Sequence, residues 1–256
     1  MWGYGAKNCS LPPPLCCRPG SENFPAVRSL DTLALMKKHY PYPFFAREGW
    51  FYMGTLSIAV LASLWWGWWW SSLPLFLLWA FVVQFFRDPP RSLPEPMEGG
   101  VLCPADGRVI AIEQTEDPYL SRPALKVSIF MNVFDVHANR APVSGSVRQN
   151  WYYRGRFFNA SLDKASLENE RNALWLQTAP GQDVTVVQVA GLVARRILCY
   201  VREGEEIRIG QRFGFIRFGS RVDTYLPPES TVLVHLGERV HSGSRWIARL
   251  PKTVAV

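Results

Sequence analysis

Hydrophobic and polar positions change their pattern twice along the chain. The first 30 residues show no periodicity. Three consecutive prolines, Pro12 to Pro14, with scattered Gly and Ser, predict an unstructured extension over 1–30. Cations and aromatics then mix: Lys37, Lys38, His39 and Arg47 stand among Tyr40, Tyr42, Phe44 and Phe45. From Gly49 to Phe86, 38 residues, nothing is charged. One span needs roughly 20 apolar residues, so this run is too long for one. Ser71-Ser72-Leu73-Pro74 interrupts it, and two segments are expected, about 50–70 and 73–86. The first is long enough to cross a bilayer. The second is short and suits a tilted, re-entrant or interfacial placement. Lys37, Lys38 and Arg47 precede the run, and Arg87 and Arg91 follow it. Basic flanks on both sides predict a hairpin over 31–91 that returns to the cytoplasmic side. Insertion into a single leaflet satisfies the same pattern.

Arg87-Asp88-Pro89-Pro90-Arg91 breaks any helix, and a second regime begins. Strand-like runs alternate with Gly/Pro turns: 101–103, 107–112, 124–131, 145–153, 173–178, 184–193, 206–209, 211–218 and 231–236. Residues 92–256 therefore read as a mostly β globular domain of hairpins. Short helices are expected near 161–171, which is polar, and within 191–202.

Composition narrows the function. A net charge of +7 and a pI near 9.3 suit nucleic acid, anionic lipid or an acidic substrate. Most of the 11 tryptophans fall beside the apolar run, the signature of a membrane interface. Outside 37–47, which leads into the apolar run, no basic run interleaves with aromatics, and no zinc-finger or helix-turn-helix spacing occurs, so no nucleic-acid partner is expected. Five cysteines without a CxxC support neither a metal site nor a redox pair. Cys9, Cys16 and Cys17 are open between lipidation and ordinary thiols.

Candidate chemistry centres on Arg212 to Asp223. A loosely alternating strand runs to Phe218 and is broken by Gly219-Ser220, with Tyr225-Leu226-Pro227-Pro228-Glu229 downstream reading as loop. Asp106 lies in a Pro104-Ala105-Asp106-Gly107 turn, and His137 is one of four histidines. His39 belongs to the basic-aromatic cluster, while His235 and His241 have no evident partner. An Asp, a His and a Ser occur in almost any protein of this size, so composition alone does not make a triad.

The order and wording of the motifs carry more. They are Phe85-Phe86-Arg87-Asp88-Pro89, Pro104-Ala105-Asp106-Gly107, and Asp135-Val136-His137-Ala138-Asn139-Arg140-Ala141-Pro142-Val143-Ser144-Gly145. Then follow Asn159 to Ser166, Asn169-Glu170-Arg171, Gln188-Val189-Ala190-Gly191 and Phe218-Gly219-Ser220-Arg221-Val222-Asp223. Together, from about Lys37 to Ala248, they resemble the phosphatidylserine decarboxylase family in its short, pyruvoyl-dependent form.

That resemblance implies a barrel-sandwich-like domain behind the membrane hairpin, and a self-processing enzyme. Ser220 would attack the carbonyl of Gly219, splitting the chain into 1–219 and 220–256 and leaving a covalent pyruvoyl group in place of Ser220. This group would form a Schiff base with the amine of phosphatidylserine and draw electrons as CO₂ leaves, giving phosphatidylethanolamine. By resemblance Asp106 and His137 are the activating pair, with no metal. Longer members carry His-x-x-His where this chain has His137 and Arg140. Either His137 serves both reactions, or Arg140 or a water takes one. Arg140 could equally hold a phosphate or carboxylate. Asn169, Glu170 and Arg171 are structural or substrate-lining. The implied partners are a membrane phospholipid substrate, an anionic membrane surface, and a second copy in a homodimer or other homo-oligomer of processed heterodimers. The catalytic domain is expected on the cytoplasmic side of a membrane. The competing readings are a membrane-anchored carrier or adaptor domain without activity, for which the globular part offers Lys126 and Lys164, neither in a carrier-like turn, and a decarboxylase of a soluble amino acid.

Overall fold

The computed structural model describes residues 42–155, 160, 168–191, 196–217 and 220–252. The expected extension 1–30, Cys9, Cys16, Cys17, Lys164 and Gly219 lie outside the described residues. Two helices, α1 (Trp50–Trp65) and α2 (Trp69–Phe85), form a hairpin. Their 16 and 17 residues make them about 24 and 26 Å long. Among the described residues no helix is long and apolar enough to cross a membrane. The expected span over 50–70 is thus cut short at Trp65.

The cause is a glycine. Gly67 takes φ +71°, the left-handed conformation that ends helices. Its N–H donates to the Leu64 carbonyl at 3.1 Å, and that of Trp68 to Ser63 at 2.9 Å, a Schellman arrangement. The hydroxyls of Ser63, Ser71 and Ser72 then gather on the Trp68 carbonyl at 2.9–3.1 Å. This knot sits at the hairpin tip, between the tryptophan pairs. Further down, the Trp79 indole N–H donates to Ser57 Oγ at 2.9 Å. At the base, Tyr52 stacks on Phe86, and Phe45 bridges Arg87.

The β domain is built on an eight-stranded antiparallel sheet. Its order is β13-β2-β3-β11-β7-β6-β5-β9, from β2 (Gly107–Asp117), β3 (Arg122–Met131), β5 (Gly145–Tyr153), β6 (Arg171–Gln177), β7 (Asp183–Val189), β9 (Glu206–Ile207), β11 (Ser220–Leu226) and β13 (Arg239–Val240). Two three-stranded sheets complete it. One is β4-β10-β8, of β4 (Ala138–Arg140), β10 (Arg212–Ile216) and β8 (Ile197–Cys199). The other is β1-β14-β12, of β1 (Gly100–Leu102), β14 (Trp246–Arg249) and β12 (Thr231–Val232). One core joins all three: Leu125, Val127, Ile129 and Met131 of β3 alternate into it and meet Phe213 and Ile216 of β10 and Ile247 of β14. On the other face Ala124, Ala173, Val187, Val189 and Tyr225 pack under Tyr119 and Trp151.

Two expected elements differ. The helix within 191–202 is instead the strand β8, because Ile197, Leu198 and Cys199 pair with Ile216, Phe215 and Gly214; residues 192–195 lie outside the described set. Ser220, Tyr225 and Leu226 are strand and not turn or loop. Ser220 opens β11, which continues through Tyr225 and Leu226 between β3 and β7. Its burial on both faces removes the polar alternation that identifies a strand. Its charges, Arg221 and Asp223, neutralise each other at 2.9 Å with almost no exposure. The expected helix near 161–171 falls mostly outside the described residues, and Arg171 opens β6.

Candidate active site

Ser220 and His137 stand at the ends of two connections that bridge the same pair of sheets. Met131, the last residue of β3, pairs with Ser220, the first of β11. Ala138, the first residue of β4, pairs with Phe215 of β10. Residues 132–137 therefore leave the large sheet beside Ser220 and enter the small one beside Phe215. The chain from β10 to β11 makes the same crossing in reverse. The Ile216 N–H accordingly donates to the His137 carbonyl at 3.3 Å.

The loop that carries His137 is tightly tied. Asn132 Oδ1 accepts the Phe134 N–H at 2.7 Å, and Asp135 Oδ2 accepts that of Asn132 at 2.9 Å. Arg239 reaches Asp135 Oδ1 at 2.7 Å. The His137 ring is fully buried, with Nδ1 2.9 Å from the Asp135 carbonyl. A carbonyl only accepts, so Nδ1 carries the proton and Nε2 bears the lone pair. Burial lowers the imidazole to about 4; the Asp135 carbonyl opposes this, and the nearby Arg87 cation adds to it. The ring is thus neutral at pH 7. Nε2 has no hydrogen-bond partner among the described residues, nor does the buried Ser220 Oγ. Each such atom left unpaired costs stability.

The surroundings of His137 come from the hairpin. Phe85 lies against the imidazole with centroids 4.3 Å apart, and Phe215 follows at 6.4 Å. Gln84 Nε2 and Arg87 Nη2 both donate to the Phe134 carbonyl, at 3.0 and 2.9 Å. On the sheet side a ladder of buried amides runs from Asn172 through Gln188 to Asn139, whose Nδ2 approaches Met131 Sδ at 3.8 Å. Gly214 permits it, since a Cβ there would stand 2.5 Å from Gln188 Nε2.

The other expected site residues are placed differently. Asp106 is buried and accepts from Arg91 Nη2 and the Ser242 N–H, each at 2.8 Å, with His241 Nδ1 at 3.3 Å. A hydrogen bond between Asp106 and His137 is not among those the described residues make. Arg140 is buried against Asp88 at 2.6 Å, and Arg212 joins the pair at 3.6 Å while holding Glu48 at 2.9 Å. Glu48 also accepts from the Tyr200 hydroxyl. Burial would raise the Glu48 carboxyl, but Tyr200 and Arg212 outweigh it and leave it below its ordinary range. This network clamps both ends of the hairpin to β4 and β10. Asn169 is buried and donates to the Ala190 carbonyl at 2.7 Å. The Arg171 guanidinium lies over the Tyr153 ring at 4.4 Å. Phe85, Asp88 and His241 were not expected as parts of this region. Their contacts with His137, Arg140 and Asp106 link positions far apart in sequence, which no local pattern reveals.

A model of the phosphatidylserine decarboxylase family matches residues 78–248. The phosphatidylserine decarboxylase proenzyme of Nitrosomonas eutropha is 58% identical over 211 residues, 82% of this chain and 97% of that protein. The proenzyme of Aromatoleum aromaticum is 57% identical over 217 residues, 84% of this chain and 100% of that protein. That of Burkholderia pseudomallei is 55% identical over 214 residues, 84% and 99% of the two chains.

Proposed function

Because the chain belongs to the phosphatidylserine decarboxylase family, we propose that it cuts itself between Gly219 and Ser220 and then converts phosphatidylserine to phosphatidylethanolamine at a covalent pyruvoyl group. It is an enzyme of that family, a carboxy-lyase. The observation that carries the reading is the pair of unpartnered atoms, His137 Nε2 and Ser220 Oγ, buried where two connections cross between the same sheets.

Neutral His137 Nε2 takes the Ser220 hydroxyl proton as Oγ attacks the Gly219 carbonyl carbon. The peptide C–N bond breaks, the Ser220 amine takes the proton back from Nε2, and Gly219 is left as an ester on Oγ. Nε2, free again, takes the Ser220 α-proton as the Gly219 carboxylate is expelled from Cβ, and gives it back to Cβ as the enamine left behind becomes an imine. Water replaces the resulting imine nitrogen, which leaves as ammonia, and a keto group stands at position 220. Residue 220 fits that outcome. Its Oγ forfeits no hydrogen bond within the described residues when it is lost. The new terminus stays in place, because β11 is paired to β3 along its length and to β7 from Arg221 to Tyr225. Once formed, the keto carbonyl supplies the electron sink for loss of a carboxylate from an amine-bearing substrate. His137, held against Phe85 and Phe215, takes a proton at Nε2 from the substrate's ammonium group in that second reaction and returns it to the substrate carbon after CO₂ leaves.

The hairpin supports a lipid substrate. Its surface is apolar all round: Phe51, Ile58 and Leu61 of α1 and Trp70, Leu73 and Leu77 of α2 are all more than half exposed. A helix pair this apolar belongs in lipid. With no helix among the described residues long and apolar enough to span, it dips into one leaflet, and the Arg47 and Arg87 base faces the headgroups, with the β domain on the cytoplasmic side. The carrier reading loses support, because Lys126 lies mid-strand in β3, paired with Glu113.

Denaturing electrophoresis and mass spectrometry of the purified protein provide the test. Fragments 1–219 and 220–256, the smaller with a blocked N-terminus, are expected, together with CO₂ release from phosphatidylserine. An intact chain in an active preparation overturns the mechanism.

A further inference from the structure

Resting on that reading, we infer that Arg217, with Tyr52 beside it, is the residue that grips the phosphate of the lipid substrate. Arg217 follows the last residue of β10 and precedes Ser220 by three positions. Arg140, Arg212 and Arg221 are each spoken for by a carboxylate: Asp88, Glu48 and Asp223. Arg87 gives its two terminal nitrogens to the Gln84 and Phe134 carbonyls. Arg217 has no carboxylate among the described residues, although it is half-buried and its Nε is buried without a partner. Its one side-chain hydrogen bond there is a long one, Nη1 to the Tyr52 hydroxyl at 3.4 Å, with the guanidinium 5.8 Å from that ring. A half-buried guanidinium lacking a counter-ion is built to receive an anion, and its forked donors match a phosphodiester.

Its position says which anion. Tyr52 lies in the first turn of α1, at the hairpin base, and stacks on Phe86. Arg217 thus stands between the place where lipid headgroups meet the protein and the residue that becomes reactive. Three residues reach at most about 10 Å, and an arginine side chain shortens that gap further. The phosphate and amine of a serine headgroup are only a few bonds apart, so both ends can be held at once. The carboxylate is the wrong partner. A cation upon it would favour the ground state over a transition state in which the carboxylate charge disperses. The apolar wall of Phe85 and Phe215 suits the carboxylate better. The Tyr52 hydroxyl, accepting from Arg217, keeps its own proton to donate to the same phosphate.

The test uses processed protein and dihexanoyl phosphatidylethanolamine below its micelle concentration, with binding measured by calorimetry. Arg217→Gln is expected to weaken binding at least tenfold and Arg217→Lys to recover part of it. KM for dihexanoyl phosphatidylserine rises by the same factor while kcat stays within about threefold. A serine O-alkyl ether, which lacks phosphate, is turned over equally by wild type and Arg217→Gln. Where Arg217→Gln blocks self-cleavage, the same binding comparison is made between uncut Ser220→Ala and Ser220→Ala/Arg217→Gln. Unchanged affinity, or an equal loss on the phosphate-free substrate, overturns the inference. A cut wild-type protein that does not decarboxylate phosphatidylserine overturns the enzymatic reading instead, independently of the binding result.

Discussion

Phe85 and His137 lie ring against ring, 4.3 Å between centroids and 38° between planes. Phe85 is the last residue of the second hairpin helix, and His137 is the proposed base. The apolar anchor therefore forms one wall of the site, and its burial keeps the imidazole uncharged. Phe85→Ala opens that wall to water. The imidazole then rises from about 4 toward its ordinary 6.5, and the acid limb of the self-cleavage rate moves up in pH. The cavity also costs about 3–5 kcal/mol of stability. Phe85→Leu keeps most of the packing and should shift the limb less. A pH–rate series on newly refolded precursor distinguishes the two variants; coincident profiles for wild type and Phe85→Ala would sink the idea.

The depressed imidazole also sets how stability follows pH. His137 is neutral in the fold below its unfolded pKa of about 6.5, down to about 4. Between those values the unfolded chain binds the extra proton, so its contribution is complete above pH 6.5. It is lost progressively as pH falls toward 4, by up to roughly 3 kcal/mol. Denaturant titrations of Ser220→Ala at pH 7.5 and 4.5 measure this. In Ser220→Ala/His137→Gln the difference should shrink by most of that amount.

How much of this was legible in sequence depends on whether a contact is local. The strand β3 was, because Leu125, Val127, Ile129 and Met131 alternate toward the core. The hairpin was as well, as an uncharged run with basic ends. Its turn was misplaced: Pro74 drew the break to 71–74, whereas Gly67 makes it. Proline costs the helix one donor yet has a helical φ, while only glycine readily takes the left-handed turn. The strand β11 was hidden by burial on both faces. In the site, Ser220 and His137 were singled out by motif wording, whereas their places at the ends of the two inter-sheet connections depend on two sheet registers. Arg140 to Asp88 and Asp106 to His241 link residues 52 and 135 positions apart. No spacing rule reaches that far.

Asp88 has no exposed surface and answers both Arg140 and Arg212. Asp88→Ala leaves two buried guanidinium groups with less charge compensation, an effect of about 3–5 kcal/mol. The hairpin base should loosen from β4 and β10 as a result. Melting temperature should fall by several degrees, and limited proteolysis should open near residues 87–91. Replacing Arg140 as well, in Asp88→Ala/Arg140→Met, is expected to cost less than the two single changes summed, since the stranded charge goes with its partner. Strict additivity would mean that the pair does not carry the attachment.

At the far end of the hairpin, Trp65, Trp69 and Trp70 are 87%, 71% and 96% exposed. Each indole moved from water into the interface contributes on the order of 2 kcal/mol. Partition onto vesicles of phosphatidylglycerol and phosphatidylcholine should therefore weaken at least tenfold in Trp69→Ser/Trp70→Ser. Circular dichroism should be unchanged, because neither side chain supports the serine knot beneath. Depth separates a dip from a span. Lipids brominated along the acyl chain should quench the tip tryptophans from the leaflet to which the protein is added. Helices of about 24 and 26 Å that fold back at Gly67 cannot bring the tip and the base to opposite surfaces unless the bilayer thins. Quenching from lipids brominated only in the opposite leaflet, as strong as that from the near one, would overturn the single-leaflet placement.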